Sequence, residues 1–339
     1  MEATTPTPFA GIPEEHSLLI DETIPSLLLP ILSKHFESAS LKPSFSSSSL
    51  PPSSPPPSPS TLTPFQLSRY IDHTLLNPHS LAPAFEKLSA EASDNTFYSV
   101  CVNSSRIKLC KKFLKAKGSV TPKLCSVIAF PLGSGATAGK VGDCQAAIAE
   151  GAEEIDMVIN VGELKDLQLL ISSASDACTV AVDDLVLSLF NDVASVAKCC
   201  DAASDSRPDP ILLKVILEAG ALSKEELILA SSICKYVRLH LNAGKVQTFT
   251  VGAGPHFIKT STGFGGHGGA TIPDVAYMRK VADVVAADGT ATRLMGVKAS
   301  GGVRDRAGAV AVITAGADRI GASAGLKIVQ GGEDKGSGY

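Results

Sequence analysis

The chain of 339 residues contains no tryptophan, few aromatic residues (5%) and little net charge, −4 with neutral histidines. It has no block of lysine and arginine of the kind that binds a phosphate backbone, so nucleic acid is not an expected partner. No apolar run approaches the roughly 20 residues that a membrane helix needs. The composition therefore predicts a soluble globular protein that must bind any anionic ligand at a local site.

The sequence also lacks the features of an exported, disulfide-bonded protein. None of its eight cysteines forms a C-x-x-C pair, their spacing is irregular, and several lie in apolar runs where a free thiol packs as a small hydrophobic group. The N-terminus has no basic start followed by an apolar core, and the first arginine is Arg69. We expect reduced cysteines and a cytoplasmic location.

Two unusual segments come first. Residues 44–64 are almost entirely Ser and Pro, a composition that favours extended, hydrated conformations, and we predict a disordered linker. Residues 1–43 form an N-terminal extension in which Ser17–Phe36 carries Leu and Ile in a loosely helical pattern interrupted by Pro25 and Pro30. A docking helix or an organelle address is one interpretation. A poorly ordered extension that packs weakly is the other, and we favour it.

Residues 65–330 alternate short apolar runs with Ala-rich amphipathic stretches, which is typical of strand–helix units around a parallel sheet. The candidate strands are Tyr70–Leu75, Ser99–Asn103, Leu124–Phe130, Glu154–Asn160, Ile211–Glu218, His256–Ser261, Gly296–Ser300 and Arg319–Ala322. The candidate helices are Leu81–Ala92, Ser105–Lys117, Lys140–Glu150, Lys224–Val237, Pro273–Ala287 and Arg304–Ala315. Eight units favour a closed TIM (β/α)8 barrel over an open doubly wound sheet. We expect residues 331–339 to be a flexible tail.

Two connections are long for such units, residues 165–210 and residues 238–254. The first includes a helix-like stretch around Val182–Ala197. We interpret both as tolerated surface insertions rather than as added binding elements.

Four predicted strands carry a charged residue at the middle, where a parallel strand is normally apolar. These residues are Asp156, Lys214, Lys259 and Lys298. A buried ammonium without a partner is costly, so we expect the four side chains to converge inside the barrel near its carboxyl-end mouth. Mutual repulsion and desolvation should lower the pKa of at least one lysine. A neutral amine attacks carbonyl groups, so the cluster predicts Schiff-base chemistry, with the other charged groups moving protons.

Glycine-rich turns follow the last three strands, at Thr262–Gly269, Ser300–Gly302 and Gly321–Gly325. Such turns expose backbone N–H groups, which is how barrels commonly hold a phosphate. The candidate phosphate-binding residues are Gly263, Ser300, Gly301, Gly302, Gly321 and Ser323.

Several strings together resemble one known family. They are IDHTLL at Ile71–Leu76, VCVN at Val100–Asn103, EIDMVIN at Glu154–Asn160, LLKVILE, FIKTSTGF at Phe257–Phe264, VKASGGVR at Val297–Arg304 and RIGASAG at Arg319–Gly325. This pattern is similar to deoxyribose-phosphate aldolase, in register from about Tyr70 to about Gln330. The resemblance implies a barrel that reversibly splits 2-deoxy-D-ribose 5-phosphate into D-glyceraldehyde 3-phosphate and acetaldehyde, with no metal and no organic cofactor.

The resemblance also implies roles for single residues. Lys259 corresponds to the family's Schiff-base lysine, and Lys298 to the lysine that tunes the nucleophile and takes part in proton transfer. Asp156 corresponds to the acid/base carboxylate. Lys214 has no assigned step, and we expect it to set the local field and orient Asp156.

Four further residues are candidates for the pocket. Asp72 and Thr74 are expected at the mouth, to position water or a substrate hydroxyl or to make a structural hydrogen bond. Cys101 is expected to line the pocket. Tyr339 follows a Gly/Ser-rich tail that either folds over the mouth and donates a proton or is disordered.

Two other functions stay open at this point. A lysine-dependent barrel aldolase for a different sugar phosphate would share Lys259, although the EIDMV and VKASGG strings argue against it. A non-catalytic barrel, retained for binding or scaffolding, would be expected to lose a charged group from the site, and none is missing. The expected partner is a small sugar phosphate. The sequence is compatible with a homo-oligomer and does not set the oligomeric state.

Overall fold

The computed structural model describes residues 12–43, 61–119, 122–173, 179–245, 249–285 and 291–331. Within them, eight parallel strands close into a barrel in which each strand pairs with the next and the last pairs with the first. The strands are β1 Ile71–Leu75, β2 Ser99–Asn103, β3 Lys123–Ile128, β4 Glu154–Val158, β5 Leu212–Ile216, β6 Pro255–Lys259, β7 Gly296–Ser300 and β8 Arg319–Ala322. The predicted TIM barrel is confirmed.

Helices surround this barrel and precede it. They are α1 Glu14–Leu18, α2 Ile24–Ser33, α3 Ser38–Leu41, α4 Pro64–Ser68, α5 Ala82–Asp94, α6 Ile107–Ala116, α7 Thr137–Glu150, α8 Val161–Ser173, α9 Thr179–Ser204, α10 Lys224–Leu241, α11 Ile272–Ala282, α12 Arg306–Thr314 and α13 Gly325–Gln330. Among the described helices, none combines the length and apolar character that crossing a membrane requires. The seven cysteines in the described ranges are free thiols, as predicted, and Cys178 lies outside those ranges.

The predicted strands differ from the observed ones by at most two residues at an end. At two strands the cause is visible in the backbone. Ala129 follows β3 with a φ of 51°, and Glu218 ends the extension of β5 with a φ of 61°. A residue with a positive φ cannot continue a strand, so β3 and β5 both end here and the backbone turns at the mouth of the barrel.

The predicted helix Pro273–Ala287 is wrong at its end. Helix α11 stops at Ala282, and Asp283–Val285 pairs with Ala291–Arg293 as a short antiparallel ladder. Asp283 is extended, with a ψ of 153°. The valines that follow it are β-branched, and such residues favour strands over helices.

The interpretation of residues 165–210 as a surface insertion is also wrong. The segment holds most of α8 and all of α9, a helix of 26 residues. The buried residues of α9 include Val186, Leu189, Phe190, Val193, Val196 and Ala197. This helix is part of the outer layer that covers the barrel, so the segment belongs to the core.

The second long connection is anchored by Arg238, which is fully buried near the end of α10. Its guanidinium donates to the carbonyl oxygens of Val251 at 2.6 Å, Ala253 at 3.1 Å and Pro255 at 3.3 Å. Residues 246–248 lie outside the described ranges. These bonds hold the chain where it enters β6, the strand that carries Lys259.

The N-terminal extension packs on the barrel, so the weakly packed interpretation is wrong for residues 12–43. The buried apolar residues of α2 are Ile24, Leu28, Ile31 and Leu32, spaced as on one face of a helix. Phe36 stacks on Phe190 of α9 with ring centroids 4.7 Å apart. Pro25 comes just after the π-helical turn Leu19–Thr23 and Pro30 lies inside α2, so the helical run continues through both prolines. The Ser/Pro run from 44 to 60 lies outside the described residues.

Candidate active site

The structure brings the four predicted charged residues together inside the barrel. Asp156 on β4 is the register partner of Lys214 on β5, and Lys259 on β6 is the register partner of Lys298 on β7. Asp156, Lys214 and Lys298 are fully buried, and Lys259 is 3% exposed. Successive side chains of a strand point to opposite faces of the sheet, and these four residues occupy positions whose side chains point into the barrel.

The Asp156 carboxylate bridges all three lysines. Its Oδ2 accepts hydrogen bonds from the Nζ atoms of Lys259 and Lys298, both at 2.9 Å. Its Oδ1 accepts from Lys214 Nζ at 2.8 Å. Burial by itself raises the pKa of Asp156, but the three neighbouring ammonium groups outweigh it and hold that pKa well below its usual range. Asp156 is therefore ionised and lies within proton-transfer distance of all three amines.

Two residues that sequence reasoning missed complete the charged cluster, Glu154 and Arg319. Glu154 Oε2 accepts from Lys214 Nζ at 2.6 Å, and Glu154 Oε1 accepts from Arg319 at 3.1 Å. Arg319 also donates to Asp72 Oδ1 at 2.5 Å. A signal was present, because Glu154 lies two residues before Asp156 and therefore on the same face of β4.

Asp72 on β1 lies in this interior cluster, as expected. Its Oδ2 lies 2.6 Å from Lys298 Nζ. Burial raises the pKa of Asp72, but Lys298 and Arg319 outweigh burial and lower it overall. The sequence predicts two alternative roles for Thr74, contact with water or substrate and a structural hydrogen bond. The structure shows a structural hydrogen bond, in which Thr74 Oγ1 donates to the Asp72 carbonyl oxygen at 2.8 Å.

The pKa is raised at two of the three lysines, so neither of these two is the lysine with a lowered pKa that the sequence predicts. Burial lowers the pKa of Lys298, but Asp156 and Asp72 outweigh it, so the pKa is raised. The pKa of Lys214 is raised well above its usual range in the same way, by Asp156 and also by Glu154. Sequence reasoning counted the lysines and only one carboxylate. The interior holds three carboxylates, which keep Lys214 and Lys298 as ammonium ions.

The charges in this cluster do not balance when every group is ionised. Four cationic side chains face three carboxylates. Among the described residues, Lys214 contacts three carboxylates and Lys298 and Arg319 contact two each, whereas Lys259 contacts only Asp156. The surplus positive charge is therefore least compensated at Lys259.

Two thiols lie beside Asp156. Cys125 Sγ donates to Asp156 Oδ1 at 3.2 Å, and Cys101 Sγ lies 4.0 Å from Oδ2. Burial, with the neighbouring thiol and Asp156, raises the pKa of Cys125 well above its usual value. The three side chains have atoms that a metal ion could share. A cation there would add positive charge to a cluster in which, among the described residues, four cationic side chains already face three carboxylates.

The glycine-rich turns meet at the mouth. Gly263, Gly301 and Gly302 have φ values of 81°, 83° and 79°, a region that favours glycine. A Cβ on Gly269 would lie 2.0 Å from the Gly301 carbonyl oxygen, so the turns after β6 and β7 approach each other too closely for a side chain. Gly321 on β8 leaves room for Lys298, whose Cε would lie 3.0 Å from a Cβ there.

The two serines predicted to bind phosphate are placed differently. Ser300 Oγ donates to the Ser261 carbonyl oxygen at 2.6 Å, and its N–H donates to Thr260 Oγ1 at 2.9 Å. Both donors of Ser300 are thus engaged within the protein. Ser323 is exposed after β8. Tyr339 lies outside the described residues.

Proteins of known name resemble the chain over most of its length. A Bdellovibrio bacteriovorus deoxyribose-phosphate aldolase is 41% identical over 271 residues, 80% of this chain and 99% of the relative. A Brevibacillus brevis deoxyribose-phosphate aldolase is 42% identical over 273 residues, again 80% of this chain and 99% of the relative. The chain belongs to the deoxyribose-phosphate aldolase family. It is therefore an aldolase and hence a lyase.

Solved structures agree with this family. The tetrameric deoxyribose phosphate aldolase from Aeropyrum pernix is 27% identical and has a TM-score of 0.57, over 79% of this chain and 91% of that chain. An aldolase named QR15 is 30% identical and also has a TM-score of 0.57, over 78% of this chain and 94% of that chain. No family model matches the chain. Membership in the aldolase family rests on the relatives and on these structures.

Proposed function

We propose that the protein is a metal-independent class I aldolase that reversibly cleaves 2-deoxy-D-ribose 5-phosphate to D-glyceraldehyde 3-phosphate and acetaldehyde through a Schiff base on Lys259. The observation that carries this proposal is the shared Asp156 carboxylate, which lies 2.9 Å from both Lys259 Nζ and Lys298 Nζ. One amine can react while the other two groups move protons. A cytoplasmic location and a catabolic role in deoxyribose phosphate metabolism are part of the proposal.

Lys259 is the nucleophile in this scheme because of its surroundings. Loss of its proton would match three remaining cations to three carboxylates, which removes the surplus charge of the cluster. Lys214 is held as a cation by three carboxylates, and Lys298 and Arg319 by two each. A neutral amine is the form that attacks a carbonyl carbon.

The reaction begins when Lys259 Nζ attacks C1 of the open-chain sugar. The carbinolamine that forms loses water as Asp156 and Lys298 transfer protons, and a protonated imine results. A base removes the proton of the C3 hydroxyl, the C2–C3 bond breaks, and its electrons move into the imine to give an enamine. Glyceraldehyde 3-phosphate leaves. Protonation of the enamine at C2 and hydrolysis of the imine then release acetaldehyde and restore Lys259.

The glycine-rich mouth supports the choice of a phosphorylated substrate. The turns that carry Gly263, Gly301 and Gly302 bring exposed backbone close to the open end of the barrel. Backbone N–H groups in such turns bind phosphate oxygens. In this scheme Ser323 adds a hydroxyl donor, and Ser300 does so after its bond to the Ser261 carbonyl breaks.

Borohydride reduction in the presence of acetaldehyde tests the proposal. We expect an ethyl group on Lys259 in the peptide mass map, turnover of deoxyribose 5-phosphate with release of the triose, and loss of both in Lys259→Leu. That variant should stay folded, because leucine replaces a buried amine with an apolar group. Lys87→Leu, at a lysine side chain that is 78% exposed, is the control and should retain both activities.

Two results would contradict the proposal. A wild-type protein with no adduct at any lysine would be a barrel retained for binding or scaffolding. An adduct on Lys259 without turnover of deoxyribose 5-phosphate, but with turnover of another sugar phosphate, would indicate a different Schiff-base aldolase.

A further inference from the structure

A buried hydroxyl at the mouth of the barrel has no role in the scheme above. Ser261 is fully buried, and within the part of the chain that the structure describes its Oγ has no hydrogen-bond partner. Buried side-chain hydroxyls nearly always find a partner, because leaving one without a bond costs free energy. A hydroxyl left without a bond beside a reacting group is therefore a candidate for contact with a ligand.

The position of Ser261 relates it to both ends of the proposed substrate. It lies two residues beyond Lys259, and the Thr260 N–H between them still bonds the Lys298 carbonyl oxygen of β7 at 3.0 Å, so the alternation of the strand continues and places the Ser261 side chain on the side of that lysine. On its other side is the glycine-rich rim, where a Cβ at Gly301 would lie 3.6 Å from Ser261 Cβ. The hydroxyl is thus between the amine that binds C1 and the turns that face the phosphate.

The backbone around Ser261 is held in place. The neighbouring Thr260 Oγ1 donates to the Ser300 carbonyl oxygen and accepts from the Ser300 N–H, both at 2.9 Å. These bonds lock the end of β6 to the end of β7. The Ser261 side chain therefore meets a ligand from a fixed position.

We propose that Ser261 Oγ is a substrate-binding group that hydrogen-bonds a hydroxyl of the sugar phosphate, at C3 or C4, while C1 is on Lys259. This inference rests on the proposed function and deepens it. A serine hydroxyl can donate to the substrate oxygen or accept from its hydroxyl hydrogen, so one residue serves both the sugar and the triose product. Acetaldehyde, which has no hydroxyl beyond its carbonyl, does not need this contact.

The test compares Ser261→Ala with Ser99→Ala. Ser99 is also a fully buried serine whose Oγ has no hydrogen-bond partner among the described residues, but it begins β2 at the opposite end of the barrel. We expect Ser261→Ala to lower kcat/KM for deoxyribose 5-phosphate about tenfold or more, the effect of one lost substrate hydrogen bond. Ser99→Ala should leave kcat/KM unchanged. Neither variant should lower Tm, since no protein bond is removed.

Borohydride trapping with acetaldehyde separates the two proposals. We expect Ser261→Ala to trap acetaldehyde on Lys259 as completely as the wild-type protein. Unchanged kcat/KM in Ser261→Ala would overturn the inference, and so would an equal loss of acetaldehyde trapping, which would mean that the substitution disturbs Lys259. If the wild-type protein itself gave no adduct, the proposed function would fail instead.

Discussion

Arg319 joins the two carboxylates that sequence reasoning did not connect. Its guanidinium bonds Asp72 and Glu154, and its Cζ lies 3.0 Å from the centre of the Tyr98 ring. Burial lowers the pKa of this arginine, but Glu154 and Asp72 outweigh burial and raise it. The Arg319 charge in turn helps to hold the pKa of Asp72 low. Arg319 is thus a positioning residue, because it acts on the amines through the carboxylates that they share.

We predict that Arg319→Met destabilises the protein by about 3–5 kcal/mol, since it leaves buried carboxylates with fewer partners. It should also move the acid limb of the pH–rate profile to higher pH, because Asp72 loses a charge that lowers its pKa. Urea unfolding and kcat/KM as a function of pH measure the two effects.

Arg279→Met is the matched control, since Arg279 is buried and bonds Asp318 at 2.8 Å outside the cluster. It should lose stability without the shift, and a shift in both variants would contradict the positioning role.

The helices of the N-terminal extension pack on the barrel although prolines interrupt their helical sequence pattern. Leu28 and Leu32 of α2 are fully buried and belong to the same apolar cluster as the barrel helices. Polar contacts support this packing, with Lys34 Nζ 2.6 Å from Asp183 of α9 and His16 Nδ1 2.8 Å from the Tyr277 hydroxyl of α11. The extension therefore covers part of the outer helical layer.

We predict that Leu28→Ala lowers the free energy of unfolding by about 2–5 kcal/mol, the range for a large apolar side chain removed from a core. Leu18→Ala, at a residue that is 49% exposed, should change it by less than about 0.5 kcal/mol. Urea unfolding measures both changes. It is followed by far-UV circular dichroism, because the chain contains no tryptophan for fluorescence detection. Equal stability of the two variants would show that α2 does not unfold together with the barrel.

The stability of the folded chain depends on pH through groups that the barrel buries. His256 is fully buried, where its Nδ1 accepts the Leu213 N–H and its Nε2 donates to the Gly252 carbonyl oxygen. Burial, helped by Arg238, lowers the pKa of His256 from 6.5 to about 3. The unfolded chain therefore binds a proton here below about pH 6.5, and the folded chain does not until about pH 3. This contribution to stability is complete above pH 6.5 and is lost as the pH falls towards 3.

Asp201 has the opposite effect. Burial raises its pKa to about 6, so between pH 3.8 and about 6 the folded chain holds a proton that the unfolded chain has released. Its contribution is present at low pH and is lost as the pH rises through 6. The net dependence of wild-type stability on pH is therefore a difference of two terms, and a variant is needed to isolate one of them.

We predict that His256→Gln removes the part of the pH dependence of stability that this histidine contributes between pH 6 and pH 4 and leaves the opposing part from Asp201. Over this range the wild-type slope should exceed that of the variant by about 1.4 kcal/mol per pH unit, the value for one proton. Urea unfolding of both proteins at several pH values gives the two slopes. Parallel curves would contradict the assignment of a neutral, buried His256.

The local pattern of residues was enough to predict the alternation of strands and helices, the closed barrel and the inward direction of Asp156, Lys214, Lys259 and Lys298. These features follow from periodicity, which is a property of neighbours along the chain, and from the cost of a charge on a covered strand. The same reasoning failed for the charge state of the cluster. It counted three lysines against one carboxylate, because the pairing of Asp72, Glu154 and Arg319 with these lysines and with one another depends on which strands become neighbours in the closed barrel.

Packing between distant segments decided the rest. The sequence alone predicts α2 as part of a weakly packed extension and α9 as part of a surface insertion. In the folded protein the apolar residues of both helices pack in the same core as the barrel. The missing partner of Ser261 Oγ likewise emerges only when β6, β7 and the turns beyond them are in place. Pairing of charges and satisfaction of hydrogen bonds depend on distances through space, which residue order does not contain, whereas strand and helix periodicity is written in that order.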